Sequence, residues 1–288
     1  MTTNLFRNFR DEFRVMRGLS MRWFRETTVS PFGLAIMLAI KPVLWYVLFG
    51  SLFQQISALP AFPAENYKAF ILPGVAALMA IEYIVLGGQC IVDDISSGFI
   101  GKLWAAPVSR VSVVGARIIV MTTLNVAQTT LLLALAYFDG VRLATGVLGA
   151  VTIVFLSALI TIITTAISLF IAYALKYEFA FSVVTSFLVL PVLFVSNAFS
   201  PPSFMPKWLA TIANVNPVSI AITGMRALAL EGWVWADITP AVILLTTMAV
   251  ISVSLTGVVF TRTLENEQNI VEWLVMKLGT TRVSITSG

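Results

Sequence analysis

Six stretches of this chain run for about twenty residues or more with at most one charged side chain each. Crossing the roughly 30 Å hydrocarbon core of a bilayer takes about 20 apolar residues in a helix, the form in which a single segment satisfies its own backbone hydrogen bonds. The stretches predict spans at about 33–56, 70–92, 115–138, 146–174, 180–199 and 239–261. The expected fold is therefore an all-α membrane protein with six transmembrane helices. Composition agrees: 58% of the residues are hydrophobic and 11% charged, where a soluble domain has about 45–50% and about 25%. A seventh uncharged stretch, 208–225, carries Asn214, Asn216 and Pro217 at its centre. Proline breaks the helical ladder and amides are costly in lipid. That stretch reads as re-entrant or interfacial outer helices between the fifth and sixth spans.

The few charges set the orientation. With the N-terminus inside, thirteen of the 18 basic residues fall on the inner side. Four fall outside (Lys68, Arg142, Lys207 and Arg226), and Lys41 lies within the first span. The excess of Lys and Arg on cytoplasmic loops predicts that both termini are cytoplasmic. No cleavable signal peptide is expected, because the first apolar segment is long and six arginines are spread ahead of it.

The same composition excludes chemistry. Without His there is no Ser-His-Asp triad and no His metal ligand. The single Cys90 rules out an internal disulfide and any CxxC site. No GxxxxGK[ST] phosphate loop is present, since Gly98 and Gly101-Lys102 lack that spacing. Neither a catalytic group nor a metal or other cofactor is expected in this chain, nor is a nucleic-acid partner.

The ends and loops carry their own patterns. In residues 4–25, apolar side chains including Phe9, Phe13 and Trp23 recur near helical spacing with arginines between them. This predicts an amphipathic helix on the cytoplasmic interface, anchored to anionic lipid and free to touch a cytoplasmic partner as well. The loop after the second span opens with Asp93-Asp94 and then carries Phe99, Ile100, Leu103 and Trp104 before Pro107. A mere connection needs no such aromatics. They fit docking into a groove or rest on the membrane interface, where Trp is common. The outer segment 200–232 places Pro206, Trp208, Asn216, Pro217 and Arg226 at a membrane boundary, as a cap over a path or as packing. The tail, 263–288, reads as a short amphipathic cytoplasmic helix followed by a frayed polar end.

Two ionisable residues lie well inside the expected spans. Lys41 and Glu82 sit about 12 and 15 Å from the inner ends of their helices at 1.5 Å per residue. A lone charge at the bilayer centre costs at least about 2.5–3.5 kcal/mol. The two either pair and fix the register of the first two helices, or one of them faces a polar path, or each snorkels separately. Thr161, Thr164, Thr165 and Ser168, and Ser182, Thr185 and Ser186, follow helical spacing and serve helix packing or substrate contact.

Three groups of residues resemble one known family. They are Ser30-Pro31 with Lys41-Pro42-Val43-Leu44-Trp45 and Leu48-Phe49-Gly50; Tyr67 and Leu72-Pro73-Gly74 leading to Ser97-Gly98-Phe99 and Ala106-Pro107-Val108-Ser109-Arg110; and Leu190-Pro191, the run from Ser196 to Pro201, Met205-Pro206, Trp208, Asn216-Pro217, Arg226 and Glu231-Gly232. In order and spacing, over about residues 25–262, they resemble the membrane subunit, or permease, of ABC transporters of the type-2 exporter class. The chain is most similar to daunorubicin-resistance-type drug and lipid exporters. Lys41 departs from the family pattern, which often has an uncharged polar residue there.

The resemblance implies more than composition does. Such permeases work as a homo- or heterodimer in a cytoplasmic (inner) membrane, here expected to be prokaryotic. Two copies of a cytoplasmic ATPase drive them, and ATP and magnesium are handled there. By this resemblance residues 1–28 are a connecting helix and 29–262 the transmembrane domain. Gly98, Phe99, Ile100, Lys102, Leu103, Trp104, Pro107 and Arg110 belong to a coupling helix that docks on the ATPase. The cargo it implies is an amphiphilic drug, lipid or glycan. The competing class is a secondary transporter or channel acting without an ATPase; internal repeats would favour it, and the two halves show none.

Overall fold

The computed structural model describes residues 2–28, 30–59, 62–64, 66–97, 110–175 and 177–281. Among the described residues every regular element is a helix. The coupling segment expected at 98–107 lies outside them, apart from Arg110, which opens a helix.

The chain begins with α1 (Thr2–Thr28), followed by α2 (Pro31–Leu52). Ser30 caps α2 by accepting the Gly33 N–H at 3.1 Å, and Pro31 occupies the first turn, where a missing N–H is harmless. One turn of α2, Ile36–Ile40, is π-helical. Pro42 brings no N–H to the turn before it, and the Met37 carbonyl of that turn instead accepts the side-chain amide of Gln128 at 2.7 Å. A chemical gap in one helix is thus filled from another.

Next come α3 (Tyr67–Ser96), α4 (Arg110–Phe138) and α5 (Gly146–Leu175). Then follow α6 (Glu178–Phe194), the short pair α7 (Lys207–Val215) and α8 (Pro217–Leu230), and the long α9 (Trp235–Thr281). Among the described residues five helices are long and apolar enough to cross a membrane: α2, α3, α4, α5 and the part of α9 over Trp235–Val259. α6 is apolar but has 17 residues, a length of about 26 Å at 1.5 Å per residue. It stops five residues before the predicted end of that span. The Ser196 hydroxyl bonds back to the Leu193 carbonyl, and the chain turns. The tail, expected as a separate helix after 262, continues α9 unbroken to Thr281; no proline or glycine stands at the junction to stop it.

α3 is the hub. Buried residues make up 78% of its apolar window, against 11% for α2 and 17% for α9, so those two helices keep wide apolar sides uncovered. Small residues let α3 and α5 approach closely, as at many membrane helix crossings. A Cβ on Gly88 would lie 2.7 Å from the Ser168 carbonyl oxygen and 2.9 Å from the ring of Phe181 on α6. Hydroxyls tie the same seam and the neighbouring one between α4 and α5. Ser168 accepts the Gly88 N–H at 2.7 Å, Thr164 donates to the Ala80 carbonyl at 2.9 Å, and Ser157 meets Asn125 and Thr129 at 3.0 and 3.1 Å. Each such bond between membrane helices stabilises by about 0.6 kcal/mol on average.

Candidate functional site

Polar groups concentrate at three depths. Near the middle, the Lys41 ammonium of α2 lies 2.6 Å from the Glu82 carboxylate of α3. Glu82 is close to the centre of its 30-residue helix. The Lys41 side chain is 44% exposed and that of Glu82 21%, so the pair faces the outside of the bundle.

At the end of α3 that carries Asp93 and Asp94, α1 is fastened to the bundle. Asp94 accepts Arg22 Nη2 at 3.0 Å and the Trp23 indole N–H at 3.4 Å. Trp23 is fully buried. Phe13, by contrast, is exposed, and the side chain of Phe9 lies outside the described residues. Beside this contact Arg117 of α4 is buried and donates to the carbonyls of Leu86 and Gly87 at 2.7 and 2.8 Å. A cavity of about 440 Å³ opens here, lined by Arg22, Gln89, Asp93 and Arg117 among others.

At the other end the chain turns inside the protein between α6 and α7. Ser196, Asn197 and Ala198 are all buried. Backbone without regular structure is tolerated at membrane depth where protein covers it and satisfies its polar groups. Arg226 of α8 does this: its Nη2 bonds the Asn197 carbonyl at 2.9 Å, its Nε the Phe70 carbonyl at 3.3 Å, and its guanidinium stacks 3.8 Å from the Phe70 ring centre. The Tyr67 hydroxyl holds the Phe199 carbonyl at 2.9 Å. Gly74 is what lets the turn sit on α3, because a Cβ there would collide with the Ala198 carbonyl oxygen. Asn216 caps α8 through the Val218 N–H at 2.9 Å and reaches the Val192 carbonyl at 3.1 Å, and Pro217 fills the first helical position. Pro206 precedes α7, and Trp208 stands 65% exposed on it. At the same end Asp139 accepts Lys68 at 2.8 Å and the Tyr46 hydroxyl at 3.1 Å, joining α2, α3 and the end of α4. The Lys68 hydrogen bond, helped by that of Tyr46, holds the Asp139 carboxyl below the usual carboxylate range.

The arrangement is two polar ends joined through an apolar bundle, with an ion pair between them. The model of the ABC-2 type transporter family matches residues 15–230. This chain belongs to that family. The resemblance read from its motifs is borne out.

Among relatives of this ABC-2 chain, the transport permease ycf38 of Cyanophora paradoxa is 32% identical over 66% of the chain and 65% of its own length. The ycf38 permease of Porphyra purpurea is 30% identical over 65% and 64%. The daunorubicin resistance ABC transporter permease protein DrrB1 of Streptomyces coeruleorubidus is 28% identical over 73% and 71%. The chain thus spans just under two thirds of the length of the first two. These relatives are transport permeases by name, and several helices of the ABC-2 chain are long and apolar enough to cross a membrane.

Some residues that build these sites carried no signal of a role. Arg117 counts as an inner-side charge in the sequence, yet α4 starts at Arg110, so Arg117 lies two turns inside the helix. Asp94 reads as the start of a loop but belongs to α3. Gln128 and Asn125 give no sequence signal, because a polar residue in a span is informative only once its neighbours on other helices are known.

Proposed function

We propose that this ABC-2 chain is the permease subunit of an ATP-driven exporter that moves an amphiphilic drug, lipid or glycan out of the cytoplasm or the inner leaflet. In this reading α6 is a sixth crossing, short but apolar. Both termini are cytoplasmic, by the distribution of Lys and Arg. α7 and α8, at 9 and 14 residues, are re-entrant helices of the outer side. The membrane is the inner, cytoplasmic membrane of a prokaryotic cell, in keeping with the Streptomyces relative.

The observation that carries the reading is the Lys41–Glu82 pair. An ion pair left exposed near mid-depth is costly against lipid tails, and it sits on a bundle whose α2 and α9 are mostly uncovered. A second permease, identical or related, packed against that side would enclose it in a polar path. Energy then comes from elsewhere: two copies of a cytoplasmic ATPase bind ATP with magnesium and close, and a coupling helix formed by Gly98, Phe99, Ile100, Lys102, Leu103, Trp104, Pro107 and Arg110 passes the motion to the spans. Such coupling requires two states whose balance nucleotide shifts. The connecting helix α1, held by Trp23, moves with it.

The test is co-purification with a candidate ABC ATPase subunit from the same genome, followed by transport in sealed vesicles. ATP-dependent accumulation of an amphiphile supports the proposal. No copurifying ATPase, with transport driven by an ion gradient alone, replaces it with a secondary transporter or channel.

A further inference from the structure

A groove of about 480 Å³ runs between α4 and α5, and neither Lys41 nor Glu82 lines it. Its walls are Leu133, Ala134 and Tyr137 on α4 and Val147, Ala150 and Val151 on α5. Ala134 and Ala150 leave it deep, and the large residues at its edges are exposed, Val147 at 80% and Val151 at 61%. From Gly146 to Val154 its lining advances eight residue steps, about 12 Å along the helix axis. That is close to the thickness of one leaflet, half of a core of roughly 30 Å.

Its open end lies at headgroup height. The loop between α4 and α5 is bound to the end of α8, with Ala144 N–H donating to the Ala229 carbonyl at 3.0 Å and the Thr145 hydroxyl to the Leu228 carbonyl at 2.6 Å. A few residues beyond, Trp233 and Trp235 stack with ring centres 5.6 Å apart and stand exposed. With Tyr137 they mark the aromatic level at which a protein meets lipid headgroups. Arg142 is the one charge on the groove's lining. It lies 3.9 Å over the Tyr137 ring, and Nη1 donates to the Tyr137 carbonyl. Asp139, three residues away, is held by Lys68, so no carboxylate on this lining balances the guanidinium.

We propose that this groove holds an acyl chain of an anionic phospholipid, whose phosphate binds Arg142. The apolar walls fit the chain, the depth fits one leaflet, and a single positive charge at the rim selects a headgroup of net negative charge. A guanidinium gives a phosphate two parallel N–H donors. The site is separate from the Lys41–Glu82 face and needs no transport activity.

The full chain is purified in alkyl maltoside, and lipid binding is read by native mass spectrometry and by melting temperature. Dioleoyl phosphatidylglycerol binds about tenfold more tightly than dioleoyl phosphatidylcholine, because the choline of the second offsets its phosphate and meets Arg142 with a like charge. Arg142→Gln abolishes that preference and leaves the melting temperature without lipid unchanged. Ala150→Leu or Ala150→Trp fills the groove and weakens retention of both lipids, and either variant that keeps a single melting transition serves. Equal binding of the two lipids by the unaltered chain overturns the proposal, as does a preference that survives Arg142→Gln. Cross-linking between two copies through Val151→Cys in a Cys90→Ser background assigns the groove to a second copy and overturns it too.

Discussion

The Lys41 ammonium of α2 and the Glu82 carboxylate of α3 are 2.6 Å apart, so the register of the first two spans is tied by a bond between opposite charges. Lys41→Met leaves Glu82 alone near mid-depth, where a single charge costs about 2.5–3.5 kcal/mol or neutralises. The expected outcome is a lower melting temperature in detergent and reduced yield for Lys41→Met and for Glu82→Lys. Lys41→Glu combined with Glu82→Lys recovers part of the loss. A double variant no better than the worse single change removes the pair from the account of folding.

Gly74 and Arg226 both hold the turn at 196–199, one by leaving room for Ala198 and the other by bonding the Asn197 carbonyl. Gly74→Val drives a side chain into the Ala198 carbonyl, and overpacking of this kind costs about 1–3 kcal/mol. Arg226→Met fills space but leaves the carbonyls of Asn197 and Phe70 without their donor, about 1–3 kcal/mol for each one left unsatisfied. Melting of both variants by fluorescence-detected size exclusion checks this. A Gly74→Val protein as stable as the parent contradicts the packing described.

Asp94 connects α1 to the bundle through Arg22 and the indole of Trp23. Asp94→Ala removes the carboxylate that links Arg22 and Trp23 to α3 and loosens α1 without touching the seam between α3 and α5. Limited proteolysis reads the difference: cleavage within α1 rises several-fold while the remainder of the chain stays protected. Unchanged cleavage means that Trp23 packing alone secures the helix.

Asp139 gives a pH dependence. Its carboxyl is held below the unfolded value of about 3.9 by Lys68 and Tyr46. The charged form is therefore favoured in the folded protein. The stabilisation is fully present above about pH 4–5 and fades as pH falls through the lowered folded value. The group is exposed, so the effect stays within about 1 kcal/mol. Melting curves of the parent and Asp139→Asn differ at pH 6, and the gap narrows as pH falls below the ordinary carboxylate range; a gap of constant size from pH 6 to pH 3 rules out this origin.

Under the proposed function, Phe99→Asp or Trp104→Asp releases the ATPase in a pull-down while the permease elutes as a folded species. Retained ATPase binding by both variants moves the docking surface elsewhere.

The helix positions were legible because apolar stretches of spanning length have few alternatives in a bilayer. The middle of α3, α4 and α5 follows the charge-free stretches closely. The ends did not, because they depend on caps and turns. Ser196 closes α6 early through a bond to Leu193, and α4 begins at Arg110, which carries Arg117 inside. The close seam between α3 and α5 was half legible. Thr164 and Ser168 stood at helical spacing, but that Ser168 accepts the Gly88 N–H and Thr164 donates to the Ala80 carbonyl required the crossing itself.

By itself the sequence determined that this chain lives in a membrane, which family it belongs to, and that two charges lie near one depth. Those follow from hydrophobicity, charge and motif order, which are properties of the chain read residue by residue. Only the tertiary structure decided what satisfies each polar group inside: Gln128 for the Met37 carbonyl, Arg226 for the turn at Asn197, Asp94 for Trp23. A buried donor or acceptor must find a partner or cost free energy, and in a bundle that partner stands on another helix, at a sequence distance that no local pattern encodes.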